Sequence, residues 1–358
     1  MRKNYIDNLR SLFVLLLFVY HTFMIYNSFG ENFYIKGQEI LLTTGFMVAL
    51  WPWYMPLLFV LAGVSAAFAL EKRDTGQYVK ERVYRLLIPL LFGVLLLVPA
   101  QTFFAERFHN GYGGGYWEQY ALFFTKPTDL TGYTGGFTPG HLWFLAYLFV
   151  ISLVALPVIY LFRNLSGKKG PALSPDKMPA LALIPLFVLP LLFAPVLNIG
   201  GKSLGEYFAY FCLGYFVLSR ERIIDRLEKY RFFFSAFALA GMILYVAWWR
   251  YGRGYSSGLP LDCFERLYAW VAILALLGMG KRHLNFKNRA TDYFSRASFS
   301  VYIFHQTCLV AAAYMVFQIT GDAFIQIVFI MGISIASTFA VYEIIKRIPG
   351  LRLLFGIK

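Results

Sequence analysis

Long apolar runs, broken at short intervals by small clusters of charge, dominate the chain from Ser11 to Ile345. A helix that crosses a ~30 Å hydrocarbon core needs about 20 such residues. Ten runs approach that length: roughly 11–29, 46–70, 85–104, 141–162, 179–197, 204–219, 231–249, 263–280, 297–318 and 322–345. The first run resembles a secretory leader in position only. Its apolar stretch is long, it lacks a small-x-small cleavage site and further spans follow, so it reads as a retained helix. The expected fold class is an all-α integral membrane protein of about ten transmembrane helices, forming a single transmembrane domain over 1–358 with no appended soluble domain.

The connecting segments alternate in charge. Arg2, Lys3 and Arg10 precede the first run, whereas the next connection sets Lys36 against Glu31 and Glu39. Lys72, Arg73, Lys80, Arg82 and Arg85 follow, and then a long connection with only Arg107 and Lys126 as its Lys and Arg residues. Arg163, Lys168, Lys169 and Lys177 give way to a connection holding Lys202, and Arg220, Arg222, Arg226, Lys229 and Arg231 to one where Asp262 and Glu265 offset Arg250 and Arg253. Lys281, Arg282, Lys287, Arg289 and Arg296 form the last internal cluster, and the tail carries Lys346, Arg347, Arg352 and Lys358. Cytoplasmic loops are enriched in Lys and Arg, so both termini are expected in the cytoplasm, which agrees with an even number of spans.

Composition supports this reading. Of 358 residues, 59% are hydrophobic and 15% charged, against about 25% charged in a soluble domain. The formal charge of +14 sits in short loops rather than on a soluble basic domain, which argues against nucleic acid as a partner and for the lipid bilayer. Cys212, Cys263 and Cys308 lie in or beside separate apolar runs and form neither a disulfide framework nor a CxxC pair. They read as small buried hydrophobes.

The longest connection, about 105–140, contains NGYGGGYWEQY and TGYTGGFTPGHLW, glycines interleaved with aromatic rings. A loop of this length and composition is expected to be an extracytoplasmic binding element or lid rather than a simple connector.

Polar groups inside the runs are the candidate chemistry. In RSLFVLLLFVYH, Arg10 and His21 are eleven positions apart, ~20° past three full helical turns and ~16 Å along the axis. One helix face thus carries an arginine at the cytoplasmic edge and a histidine near mid-membrane, with Asp7 placed to pair with Arg10. In RASFSVYIFHQT, Arg296 and His305 are nine positions apart, ~14 Å. Both spans run outward, so the two histidines are expected at nearly one depth, in a shared polar cavity. An ionisable residue at depth is a functional candidate, and imidazole suits proton transfer near neutral pH. The structural alternative is that each histidine merely donates to a neighbouring carbonyl. Metal binding is not expected, because no intramembrane carboxylate or cysteine lies at ligand spacing.

Arg82 and Arg85, in KERVYRLLIP, are spaced i and i+3, which on an α-helix directs both guanidinium groups from one face. Paired guanidinium groups suit bidentate phosphate contacts. The alternative is ordinary positive-inside charge at lipid headgroups. On the outer side, Trp51, Trp53, Tyr54, Tyr116, Trp117, His141, Trp143, Trp248, Trp249 and Tyr251 supply an interfacial belt or stacking faces for sugar rings. Glu106, Glu118, Asp129, Asp262 and Glu265 supply acceptors for hydroxyl groups. Trp117, His141, Trp143 and Glu265 are the substrate-binding candidates.

These residues resemble the acyltransferase family 3 membrane proteins, which O-acylate sugars and other acceptors. The likeness rests on YIDNLRSLFVLLLFVYH with its arginine-to-histidine spacing, PLLFVLAGVS in the second span, RVYR at Arg82 and Arg85, and SFSVYIFH in the ninth. The GHLWFL segment is most similar to a glucan-biosynthesis branch of the family linked to succinylation. Ala62 stands where many relatives carry serine, and no role is assigned to that position. The resemblance implies an acyl-CoA donor bound from the cytoplasm by Arg10, Arg82 and Arg85, and an extracytoplasmic glycan or lipid-linked sugar as acceptor. His21 is the implied general base, and His305 would orient substrate or stabilise the oxyanion. A covalent acyl-histidine is a competing route. No metal is implied. A separate periplasmic or extracellular partner would be required for any second transfer step, and the implied setting is a bacterial cytoplasmic (inner) membrane. The rival readings are a secondary transporter of a sugar or organic anion, coupled to protons through His21 and His305, and a sugar-binding scaffold without catalysis.

Overall fold

The computed structural model describes residues 3–30, 33–165, 178–252 and 258–357. Among the loop charges named above, Arg2, Glu31, Lys168, Lys169, Lys177, Arg253 and Lys358 lie outside them. Helices account for nearly all regular structure: α1 (Asn4–Met24), α2 (Leu41–Leu70), α3 (Thr75–Arg82), α4 (Ile88–Leu96), α5 (Val98–Asn110), α6 (Tyr116–Thr125), α7 (Trp143–Leu165), α8 (Val188–Phe193), α9 (Leu204–Leu213), α10 (Glu221–Lys229), α11 (Arg231–Tyr251), α12 (Leu259–His283), α13 (Arg289–Phe317), α14 (Ala323–Ile345) and α15 (Pro349–Leu354). This is an all-α integral membrane architecture.

Eight helical stretches among the described residues are long and apolar enough to cross a bilayer. They correspond to all the expected spans except the fifth and sixth. Those two are shorter: a 3₁₀ turn over Ala180–Phe187 leads into α8, and α9 runs into a π turn over Gly214–Leu218. Pro185 and Pro190 interrupt the first of them, because proline removes a backbone donor and crowds the preceding turn. Between them lies a two-stranded antiparallel hairpin, β1 (Asn198–Ile199) and β2 (Lys202–Ser203), with Asn198 opposite Ser203. Its loop residues Gly200 and Gly201 have φ of +57° and +76°, the left-handed pair that a tight two-residue hairpin requires. Apolar composition alone extends the fifth segment to 197, whereas the sixth, at Leu204–Leu218, matches its expected bounds to within one residue.

The third expected span is also longer and more broken than its hydropathy indicates. It runs from Thr75 to Asn110 as α3, a π turn over Val83–Leu87, α4 and α5. The break at Leu97 precedes Pro99, which cannot donate to the turn before it. The expected loop at 105–140 therefore begins six residues later, at Gly111, and contains α6.

The chain divides into two compact units. The first comprises Met1–Arg10, Val48–Glu81 and Tyr147–Asn288. Within it, Tyr268 of α12 donates to the Ala49 carbonyl of α2 (2.6 Å), and Trp53 donates to Tyr268 (3.1 Å). Asn8 caps the far end of α12 by donating to the carbonyls of Leu284 and Phe286 at 2.7 and 2.8 Å. Gly63 of α2 abuts the Phe211 carbonyl and Gly214 abuts that of Val60, a backbone approach that side chains would block.

The second unit comprises Ser11–Met47, Arg82–Ala146 and Arg289–Lys358. Its core joins the end of α1, residues 33–35, α5, α13 and α14 through Ile25, Tyr26, Phe33, Ile35, Ala105, Leu309, Ala313 and Ile330. The outward faces stay apolar, with Phe324, Val328 and Phe329 of α14 exposed, as a lipid-facing surface demands.

Candidate functional site: a buried cluster of three imidazoles

His21 lies in the last turn of α1, and His305 at mid-length of α13 with no exposed surface. Their ring centroids are 5.2 Å apart. A third imidazole joins them. His141 stands 5.1 Å from His305, nearly perpendicular at 85°. All three belong to the second unit.

Each ring is held by its surroundings. The chain leaving α1 folds back, with Gly37 donating to Ile25 (2.8 Å) and Ile40 to Tyr26 (2.9 Å). This return lays Phe33 parallel to His21, with centroids 6.0 Å apart and planes 11° apart. His305 packs edge-on to Phe18 of α1 at 5.8 Å. His141 follows Gly140, whose φ of +52° turns the chain into the 3₁₀ turn Gly140–Leu142 at the head of α7. Thr138 accepts from the Gly140 N–H (3.0 Å), fixing that corner. Gly93 of α4 leaves the space that Leu142 fills, since a methyl there would lie 2.5 Å from Leu142 Cδ1.

Hydrogen bonds set the tautomers. A carbonyl oxygen only accepts, so His305 Nδ1 donates to Tyr302 O (2.6 Å) and His141 Nε2 donates to Ile303 O (2.9 Å). The other nitrogens, His305 Nε2 and His141 Nδ1, carry lone pairs in the neutral rings. Both are buried without a hydrogen-bond partner among the described residues, as is His21 Nδ1. Tyr302 ties α13 back to the same turn by donating its hydroxyl to the His141 carbonyl. Buried polar atoms normally find partners, so three orphaned imidazole nitrogens in one cluster are unusual. A neutral His305 with its Nε2 lone pair accepts a proton and donates to an oxyanion only after taking one. The oxyanion role expected for it is therefore conditional on protonation.

Next to His305, Gln306 donates to Gln101 Oε1 (3.2 Å), Gln101 to Thr307 (2.7 Å) and Thr307 to the Leu97 carbonyl (3.2 Å). This chain ends on the backbone oxygen of Leu97, the residue between α4 and α5. The glycine-rich segment packs on the same unit. Glu106, almost fully buried, accepts from Lys126 (3.1 Å) and Asn110 (3.0 Å), and Gln119 donates to the Gly135 carbonyl (3.0 Å). A side chain at Gly135 would collide with Glu106, at 2.6 Å. Outside the helices, burial pushes the Tyr34 hydroxyl well above its ordinary range, with Tyr133 adding to the rise, and burial lowers Lys36 against a smaller opposing pull from Glu39.

The other candidates separate. Arg10 lies in the first unit, bonded to Asp7 (3.2 Å) and to Ser65 of α2 (2.7 Å). Ser65 was missed in the sequence, although it falls within the quoted AGVS stretch. Arg82 ends α3 and Arg85 lies in the π turn, both half-buried, so the i, i+3 register expected of an α-helix is widened between them. Trp117 is 77% exposed on α6, with Tyr116 and Tyr120 as ring neighbours. Trp143 is half-buried as the first residue of α7. Glu265 belongs to the first unit and accepts from Tyr245 (3.1 Å). His141, expected as an outer substrate contact, is instead a buried member of the imidazole cluster. Hydropathy put it at the edge of a span, and only the turn at Gly140 directs its ring onto α13.

Comparison with known sequences agrees with the geometry. A family model described as an acyltransferase domain matches residues 3–343. The chain is 25% identical to proteins named glucans biosynthesis protein C from Salmonella schwarzengrund (strain CVM19633), Salmonella paratyphi A (strain ATCC 9150 / SARB42) and Salmonella enteritidis PT4 (strain P125109). Each alignment covers 99% of this chain and 94% of the relative. No solved structure matches. Since that family match runs from the start of α1 to the end of α14 and takes in all three histidines, this chain belongs to the acyltransferase 3 family of membrane proteins.

Proposed function

We propose that the protein moves an acyl group of the acetyl or succinyl class from cytosolic acyl-CoA to a hydroxyl of an extracytoplasmic glycan or glycolipid, in a bacterial inner membrane with both termini in the cytoplasm. The observation that carries this reading is the imidazole cluster: three neighbouring rings, each with a buried nitrogen that has no hydrogen-bond partner among the described residues. Glucan is the favoured acceptor, given the names of the Salmonella relatives.

In this mechanism the acceptor hydroxyl gives its proton to a lone-pair nitrogen of the cluster as its oxygen attacks the thioester carbon. His21 takes that proton, and the resulting imidazolium returns it to the departing thiolate. One C–O bond forms, one C–S bond breaks, and a thiol is released. General-base catalysis of this kind contributes ~10²–10⁴-fold. His305 and His141 keep the site polar inside a dry bundle, and His305 Nε2 is placed to share the transferred proton. Arg10, Arg82 and Arg85 are assigned to the phosphates of the donor, with Ser65 and Asp7 orienting Arg10.

The test is thiol release by purified protein from acetyl- or succinyl-CoA, with and without an oligoglucan acceptor. Acceptor-dependent thiol release that disappears in His21→Ala, with folding intact, supports the assignment. Sugar uptake into proteoliposomes driven by a pH gradient, with no thiol release, would overturn it in favour of a transporter.

A further inference from the structure

Outside the imidazole cluster, the first unit holds a second concentration of charge inside apolar helices. Arg266 of α12 donates from Nη2 to Glu206 of α9 (2.9 Å), and its Nη1 lies 3.5 Å from Asp262. Glu265 lies within electrostatic reach of the same guanidinium and accepts from Tyr245 of α11 (3.1 Å). Three carboxylates thus surround one cation. Asp262 is exposed, whereas Glu206, Glu265 and Arg266 are half-buried, so the cluster opens to the surface at one end.

At its inner end stands Tyr210, one turn beyond Glu206 on α9 and without exposed surface. Its hydroxyl has no hydrogen-bond partner among the described residues, and neither does Arg266 Nε. Four positions from Glu206 on α9, Tyr210 shares that residue's helix face and lies within electrostatic reach of Glu206, Arg266, Glu265 and Tyr207. Leaving a buried phenol unpaired is costly, and packing alone would have favoured phenylalanine. Tyr207 stacks on Phe59 with centroids 4.5 Å apart, and Trp270 lies 6.3 Å from the Tyr210 ring, which gives the cluster aromatic walls.

We propose that this cluster binds the hydroxyl groups of a neutral sugar, with Tyr210 and Arg266 Nε donating to it and Glu206 and Glu265 accepting from it. The proposal rests on the glycan acyltransferase reading above and names the acceptor's chemical class. Carboxylates, a phenol and a guanidinium offer both acceptors and donors to sugar hydroxyls. The surplus of negative charge repels acidic sugars and the phosphates of the donor. Both helices that build the cluster begin after connections that the alternation of charge assigns to the outer side, where the acceptor arrives.

Equilibrium binding to the full chain in nanodiscs, read by tryptophan fluorescence, tests this with a neutral probe, cellotetraose, and an acidic one, an oligogalacturonate. The neutral probe should bind at least ~10-fold more tightly than the acidic one. Tyr210→Phe and Glu206→Gln should each weaken it ~5–100-fold. Tyr210→Phe loses no protein partner, so its thermal midpoint should equal or exceed that of the wild type, which separates lost binding from lost folding. Unchanged cellotetraose affinity in both variants, equal affinity for the acidic probe, or no binding by the wild type would overturn the proposal. Thiol release measured in parallel keeps the two readings apart. Glucan-dependent release with Tyr210-independent binding overturns the cluster alone, and Tyr210-dependent binding without any release overturns acyl transfer alone.

Discussion

The rings of His21 and His305, on the first and the penultimate long helices of the chain, lie 5.2 Å apart in the core of one unit. Among the described residues, no hydrogen bond joins either ring to a charged side chain. His305 is anchored through Nδ1 to the Tyr302 carbonyl, and its Nε2 has no hydrogen-bond partner among the described residues.

Replacing either histidine should abolish most turnover while leaving the fold. His21→Ala and His305→Ala should each lower kcat by ~10²–10⁴-fold. If the two rings act as one unit, the double variant should be little worse than His21→Ala alone. A steady-state assay of thiol release checks this, and a fully multiplicative loss in the double variant would separate their roles.

Tyr302 supports the site through the His141 backbone. Tyr302→Phe leaves the buried His141 carbonyl without its side-chain donor, a change that should cost about 1–3 kcal/mol of stability. Thermal unfolding in detergent should show a lower midpoint together with reduced kcat. An unchanged midpoint would show that the hydroxyl contributes nothing to the turn.

Gly93→Val brings a branched side chain against Leu142, because even its Cβ would stand 2.5 Å from Leu142 Cδ1. Overpacking of this kind typically costs 1–3 kcal/mol. The expected outcome is a protein that inserts and binds donor but turns over slowly, since the displaced segment carries His141. Normal kcat in this variant would mean that the position of His141 does not matter.

The arginines should separate donor binding from chemistry. Arg82→Ala and Arg85→Ala should raise the KM for acyl-CoA by about tenfold or more while changing kcat less, the expectation for lost charge-assisted phosphate contacts. Ser65→Ala, which removes a hydrogen bond to Arg10, should have a smaller effect in the same direction. Unchanged donor KM with reduced membrane insertion would identify the arginine pair as topological anchors.

How much of this was legible varies by residue. Arg10 and His21 share a helix, so period and rise alone placed them on one face, and the pairing of Arg10 with Asp7 followed from spacing. The proximity of His21 and His305 was readable from two spans expected to run in the same direction, each with a histidine at a similar distance from its basic end. His141 was not readable as their neighbour, because its place depends on a left-handed glycine and on the Ile303 carbonyl of a distant helix. Ser65 was hidden for the same reason, as nothing near it in the chain signals Arg10. The fifth segment ends earlier than its apolar run, since hydropathy counts apolar residues but does not register where prolines and a glycine hairpin end a helix, whereas the sixth keeps its expected bounds to within one residue.

By itself the amino-acid sequence determined the solvent: an apolar chain with alternating basic loops has to satisfy its backbone internally, and helices are the way an open chain does so in hydrocarbon. It also determined which polar groups stand at depth. Only the tertiary structure decided which of them meet and which nitrogen of each imidazole remains unbonded. Those outcomes depend on contacts between helices far apart in the chain, and no local period or propensity encodes them.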